Sequence, residues 1–288
     1  MKGIILAGGK GSRLYPMTKA MSKPLIPIYD KPMVYYPLSV LLTAGIRDIM
    51  LITAPADVES YQRLLGDGSQ YGVRMSYGIQ YVARGIADAF LIAEDFLAGD
   101  RCCLVLGDNM FHGEQLSYLL WDAAQQESGA TIFGYPVSNP RAYGVVEFDE
   151  NNRVLSIEEK PEHPRSNYAV PGLYFYDGKA VELAKTLKPS ARGELEITAL
   201  NEEYLKRGEL RVGLMTRGMA WLDTGTPEGM LNAAQYVEAV QSRQGLYIAC
   251  PEEIAWSKGF ITTEQLYAIG NDLKMTEYGQ YLLSLGKK

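Results

Sequence analysis

Gly3-Ile-Ile-Leu-Ala-Gly-Gly-Lys-Gly-Ser-Arg-Leu-Tyr-Pro16 is an apolar run that breaks into glycines and then presents an arginine. The β-branched Ile4 and Ile5, followed by Leu6, suit a buried parallel strand, and Gly8, Gly9 and Gly11 let the backbone turn tightly enough for amide hydrogens to face an anion. The stretch therefore reads as a strand feeding a phosphate-binding loop, with Arg13 as a fixed charge beside it.

Neither common phosphate-loop pattern fits. A dinucleotide fingerprint needs a third glycine or alanine where Leu14 stands, and a Walker sequence needs Gly-Lys-Ser/Thr, whereas Lys10 lies between two glycines. Alone, the loop reads equally well as a tight strand-to-helix turn. The charges that follow favour the phosphate reading: up to Lys31 the chain carries Lys2, Lys10, Arg13, Lys19, Lys23 and Lys31 against Asp30 alone, in a protein whose net charge is −6. A local basic cleft in an acidic protein concentrates a small polyanion. Nucleic acid is not indicated, because no basic face extends beyond this segment.

The 288 residues, 47% apolar and 22% charged, are ordinary for a globular protein of one or two α/β domains. The opening apolar run is too short for a secretory signal and no stretch is long enough to span a membrane. Three cysteines, Cys102, Cys103 and Cys250, with the adjacent pair pointing to opposite faces of a strand, suggest a reduced, cytoplasmic setting. With only His112 and His163, histidine-based triads and metal sites are poorly supported, and any metal is expected to be hard and carboxylate-bound.

Further along, Tyr35 to Ala44 reads as a helix closed by Gly45, residues 46 to 53 as a strand, Val58 to Leu65 as a helix, Val73 to Ile79 as a strand and Gly85 to Leu97 as a helix. This alternation predicts a doubly wound, mostly parallel sheet. The apolar run Arg101-Cys-Cys-Leu-Val-Leu-Gly-Asp108 ends on a carboxylate, at the kind of strand end where ligands collect in such sheets. After a helix at Leu116 to Gln126, strands at 130–135, 144–148 and 154–157 follow one another without helices, predicting an antiparallel extension that covers a substrate. From Pro227 the chain reads as helical, with Met230, Leu231, Ala234, Val237 and Val240 as a packing face.

In order, Gly8-Gly-Lys-Gly-Ser-Arg-Leu-Tyr-Pro16, Lys23-Pro-Leu-Ile-Pro27, Leu106-Gly-Asp-Asn109, Glu158-Glu-Lys-Pro161 and Trp221-Leu-Asp-Thr-Gly225 resemble the motifs of the sugar-phosphate nucleotidyltransferases, above all those that use dTTP. The resemblance covers almost the whole chain. It implies a Rossmann-like core over residues 1–226, with a nucleotide-binding part to about 110 and a sugar-phosphate-binding part beyond it, and a helical tail over 227–288. It also implies a Mg²⁺-dependent, homotetrameric enzyme that joins dTTP and glucose 1-phosphate into dTDP-glucose for deoxysugar synthesis of the dTDP-rhamnose type.

By that resemblance Gly8, Gly9 and Gly11 cradle the nucleotide, and Arg13 and Lys23 hold its phosphates and the leaving group. Gln80 and Gly85 face the base, and Asp108 and Asp223 bind Mg²⁺. Lys160 and Arg192 grip the sugar phosphate, while Tyr143, Gly144, Glu159 and Gly172 line the sugar pocket. A second, regulatory nucleotide-sugar site is implied near Gly113, Arg217, Glu253 and Ile254. The base pocket departs from the usual pattern at Pro24, at Tyr81-Val-Ala-Arg84 and at Asp88, where a glutamine is usual. UTP or another sugar 1-phosphate is the nearest alternative substrate. A non-catalytic sugar-nucleotide sensor is the alternative of another class, disfavoured by retention of Arg13, Lys23, Asp108 and Asp223.

Overall fold

A computed structural model describes residues 1–9 and 11–286. Lys10 of the glycine loop and the last two residues of the tail, Lys287 and Lys288, lie outside the described residues. The opening apolar run forms the strand Lys2–Leu6, with Ile4 and Ile5 fully buried in the interior of a ten-stranded mixed sheet. On one side it pairs in parallel with Asp48–Thr53, which pairs in parallel with Arg74–Ile79; on the other it pairs in parallel with Cys102–Leu106. The chain thus builds outward in one direction and then crosses back, which leaves a crevice at the carboxyl ends of Lys2–Leu6 and Cys102–Leu106. Ala7 and Gly107 are tied there by Ala7 N–H to Ile52 C=O and Gly107 N–H to Leu6 C=O.

Beyond Cys102–Leu106 the direction reverses. Leu173–Tyr176 pairs antiparallel with it and with Ala130–Pro136, and Tyr168–Ala169, Gly144–Phe148 and Val154–Glu159 continue antiparallel. Leu210–Leu214 runs parallel to Ala130–Pro136. The antiparallel extension is therefore the far part of the same sheet.

The central strands of the sheet are buried on both faces, as continuous apolar strands require. Adjacent Cys102 and Cys103 enter opposite cores: Cys103 packs with Leu38, Leu41 and Leu51, and Cys102 with Ile52, Phe90 and Tyr176. A third core joins Leu14, Ile28 and Met33, just past the glycine loop, to Met230, Ala233 and Val237 of the helix Pro227–Gln244. Each of the larger of these side chains contributes about 1.5–3 kcal/mol by leaving water, so the tail braces the segment that carries the loop. Leu231, expected on that packing face, is 58% exposed and turns away from it, while Ala234 and Val240 pack at its edge.

The expected helix from Gly85 to Leu97 is instead two short helices, Asp88–Ile92 and Glu94–Leu97, interrupted at Ala93. Gly85 stands outside them at φ +104°, so close to the Leu195 backbone that a β-carbon would clash. The described residues of the tail form four helices, Pro227–Gln244, Pro251–Ser257, Thr263–Asp272 and Glu277–Leu285.

Candidate active site

The crevice opens into a cavity of about 470 Å³ lined by Gly9, Gly11, Arg13, Lys23, Asp108 and Gly225, among others. Its floor is the glycine loop. Gly11 sits at φ +58°, where a β-carbon would also press on Thr18 at 2.9 Å, and the Thr18 hydroxyl donates to Gly11 C=O at 2.7 Å. Gly8 is held bare by Gln80, whose Oε1 occupies the space over it. Gly9 differs: a β-carbon there meets nothing within 4 Å. The fold does not need Gly9 to be bare, so its open face is available to a ligand.

Lys23 begins the turn Lys23–Leu25, is 7% exposed, and donates to Asp108 Oδ2 at 2.6 Å. The other oxygen of Asp108 accepts from Asn109 Nδ2 at 3.0 Å. Asn109 in turn accepts at Oδ1 from Gly172 N–H at 2.9 Å and from Trp221 Nε1–H at 2.7 Å. The strands Asn109–His112 and Ala220–Asp223 pair antiparallel with Asp223 opposite Asn109, which brings the second carboxylate beside the first. Thr224 secures the junction by donating to Asp108 C=O at 2.8 Å, and Asp223 Oδ1 accepts from Gly225 N–H at 2.9 Å. A β-carbon on Gly225 would lie 3.0 Å from Asp223 Oδ1 and 3.6 Å from an Arg13 guanidinium nitrogen, so that charge stands next to the carboxylate.

A second cavity of about 240 Å³ shares Arg13, Ile86, Leu106 and Asp108 with the first, and adds Tyr143, Gly144, Glu159, Lys160, Gly172 and Asp223. Glu159 is fixed by the Thr198 hydroxyl at 2.7 Å, and Lys160 Nζ lies 3.8 Å from Glu159. Lys160 is held in the left-handed region at φ +46°, an uncommon conformation for a residue with a β-carbon, while its N–H donates to Tyr143 C=O. Burial raises the Tyr143 hydroxyl pKa and the Asp223 charge adds to that, with Arg13 opposing. The phenol is therefore neutral at neutral pH.

Four expected residues stand apart from these walls, Gly8 beneath Gln80 among them. Arg192 lines neither cavity; its guanidinium pairs with Glu196 at 2.8 Å and lies 3.8 Å from both Glu159 and Glu194. Gln80 is 5% exposed behind the loop, donating from Nε2 to Asp88 Oδ2 at 3.0 Å. Gly85, beside it, packs against Leu195, while Ala83 and Ile86 reach the first cavity. Of the regulatory set, Gly113 and Ile254 line a third cavity of about 160 Å³ with Tyr36, His112 and the buried Ser39. Arg217 is exposed and off its wall, and Glu253 accepts from the Tyr281 hydroxyl at 2.8 Å.

Asn109, Trp221, Thr198 and Thr224 carry much of the arrangement, and none was marked as a site residue from sequence. The roles of Asn109, Trp221 and Thr224 depend on the register of two strands over a hundred residues apart, and that of Thr198 on a helix brought against Glu159 from 39 positions away, which no local pattern encodes.

Residues 2–240 match the nucleotidyl transferase family. The chain belongs to that family. It is 58% identical over 288 residues, the whole of both chains, to a glucose-1-phosphate thymidylyltransferase of Neisseria meningitidis. It is 54% identical over 285 residues, 99% of each chain, to one of Mycobacterium tuberculosis. A crystal structure of a putative glucose-1-phosphate thymidylyltransferase from Bacillus anthracis in complex with sucrose superposes with a TM-score of 0.76 at 43% identity, covering 82% of this chain and 94% of that one. A UDP-glucose pyrophosphorylase complexed with UDP-glucose shares the nucleotidyl transferase fold, with a TM-score of 0.73 at 23% identity over 84% of this chain and 99% of that one. No described helix is long and apolar enough to cross a membrane.

Proposed function

We propose that this nucleotidyl transferase moves a thymidylyl group from dTTP to α-D-glucose 1-phosphate, giving dTDP-glucose and pyrophosphate. The observation that carries the reading is the meeting of two cavities at Arg13 and Asp108, one floored by the glycine loop and the other walled by Lys160 and Glu159. Relatives of that name at 54–58% identity over their whole length supply the substrates. In the proposed mechanism a phosphate oxygen of the sugar attacks the α-phosphorus in line, and pyrophosphate departs. Little proton transfer is needed, so orientation and charge neutralisation carry the acceleration. That suits a site of cations and carboxylates.

In this reading Gly8, Gly9 and Gly11 cradle the triphosphate, and Arg13 and Lys23 neutralise its phosphates and the leaving pyrophosphate. Lys160 neutralises the attacking phosphate, with Tyr143, Gly144, Glu159 and Gly172 around the sugar. Arg192 joins by exchanging Glu196 for the sugar phosphate. Among the described residues no three acidic, histidine or cysteine side chains gather to cage a metal. Two hard carboxylates on paired strands, Asp108 and Asp223, fit a Mg²⁺ that completes its shell with water and substrate oxygens. When bound, it adds positive charge at the reacting phosphate.

We also infer a core over residues 1–226 with a bracing tail from 227, a homotetramer supported by the exposed aromatic pair Tyr118 and Trp121, and a regulatory nucleotide-sugar site in the cavity beside Gly113 and Ile254. The deciding experiment pairs each nucleoside triphosphate with several sugar 1-phosphates and follows pyrophosphate release. The fastest release is expected with dTTP and glucose 1-phosphate, and none from that pair would overturn the reading.

A further inference from the structure

Gln80 follows the strand Arg74–Ile79 and is almost wholly buried, with its amide held at the nitrogen end. Its Nε2 donates to Asp88 Oδ2 at 3.0 Å, and its Oε1 lies over Gly8 at the edge of the nucleotide loop. Asp88 is 1% exposed, and its other oxygen lies 2.8 Å from the Arg84 guanidinium, close enough to pair charges though not aligned as a hydrogen bond. A carboxylate beside a guanidinium only accepts, so the Gln80 amide has one orientation open to it: NH₂ toward Asp88, carbonyl oxygen toward the loop. A serine at position 88 would impose no such direction, since its hydroxyl can both donate and accept, and an asparagine whose oxygen faced Arg84 would impose the reverse.

We propose that Asp88 is a positioning residue for base selection, holding the Gln80 carbonyl so that it accepts from the ring N3–H of thymine or uracil. Cytosine carries a bare lone pair at N3, which would face that oxygen without a proton between them. A buried pair of acceptors of this kind is strongly disfavoured. Thymine and uracil share N3–H, so the device excludes cytosine and leaves the choice between the other two to contacts with the methyl group. The inference rests on the reading that Gln80 faces the base.

The test compares kcat/KM for dTTP, UTP and dCTP, by pyrophosphate release, in the wild type, Asp88→Asn and Gln80→Ala, with thermal melts to check folding. In Asp88→Asn the new side-chain oxygen is drawn to Arg84, so its NH₂ faces Gln80 and turns that amide over. Asp88→Asn is then expected to lower the dTTP:dCTP ratio by at least about tenfold while leaving dTTP:UTP unmoved, a pattern that general loosening of the site would not give. If Asp88→Asn proves unstable, Asp88→Ser, which frees the amide to take either orientation, is read on the same ratio. A dTTP:dCTP ratio that falls in Gln80→Ala but holds in folded position-88 variants overturns the role of Asp88. A ratio that holds in Gln80→Ala shows that Gln80 does not face the base, and the proposal falls with that reading.

Discussion

Gly8 and Gly9 are neighbours that lack a side chain for different reasons, and the difference is measurable. At Gly8 a methyl would run into a buried glutamine already bonded to Asp88, so Gly8→Ala is expected to cost about 1–3 kcal/mol of stability. At Gly9 a methyl meets no described residue beyond its chain neighbours within 4 Å, so Gly9→Ala should melt within about 0.5 kcal/mol of the wild type yet raise the KM for dTTP tenfold or more. An unchanged KM in Gly9→Ala would show that the open face does not meet the nucleotide. Asp108→Asn preserves the volume but removes the charge that meets Lys23. Turnover is expected to fall by several orders of magnitude in a protein whose circular dichroism is unaltered, and near-normal turnover would remove Asp108 from the proposed metal shell. Arg13, Lys23 and Asp108 were legible in the sequence because a strand, its glycines and the next strand's terminal acid are local signals. Asn109 was not, because its hydrogen bonds to Gly172 and Trp221 join distant segments.

Elements whose limits come from their own residues were read closely: Val58–Leu65 matches its expected span, and Tyr35–Thr43 ends before Gly45 at φ +82°. Gly85 to Leu97 misled because its apolar spacing is helical, whereas the Leu195 backbone pins Gly85 in a conformation a helix cannot use. The antiparallel extension was legible as strands without intervening helices, but its continuity with the main sheet was not, because Leu173–Tyr176 joins the two parts by long-range pairing. The start of Pro227–Gln244 shows how an element positions a site residue. Thr226 caps it by accepting from Gly229 N–H at 3.0 Å, and Gly229 lies so close to the Asp223 carbonyl that a β-carbon would clash with it. Thr226→Ala should therefore cost about 1 kcal/mol in stability while kcat holds. Gly229→Ala should displace Asp223 and lower kcat at least tenfold. Equal kinetics in the two variants would mean that the helix start does not set the carboxylate's place.

At the scale of the whole molecule, the tail is joined to the core by a buried polar group as well as by apolar packing. Glu252, in the helix Pro251–Ser257, is 4% exposed and accepts from the Tyr278 hydroxyl of the helix Glu277–Leu285 at 2.5 Å. Cys250 Sγ is 3.7 Å away, and Lys31 from the core contributes an attractive charge. Lys31 is itself buried, 2.6 Å from Asp30 and over the rings of Tyr36 and Tyr247; burial lowers its pKa, and Asp30 opposes that. Burial raises the Glu252 carboxyl above its ordinary 4.5, against the pull of the Tyr278 hydroxyl and Lys31. The folded protein therefore binds a proton at Glu252 more tightly than the unfolded chain does. Between pH 4.5 and the raised value the native state holds more protons, so this group's contribution to stability falls as pH rises through that window and is restored as pH falls back. Glu252→Gln removes the titration and keeps a group able to bond Tyr278. Denaturant unfolding at a series of pH values from about 4.5 to 8 should show the stability of Glu252→Gln rising relative to wild type with increasing pH and then levelling off. A difference that is flat across that range, or that runs the other way, would show that Glu252 gains enough from its partners to offset its burial, and that the tail is held to the core by a favourable buried charge.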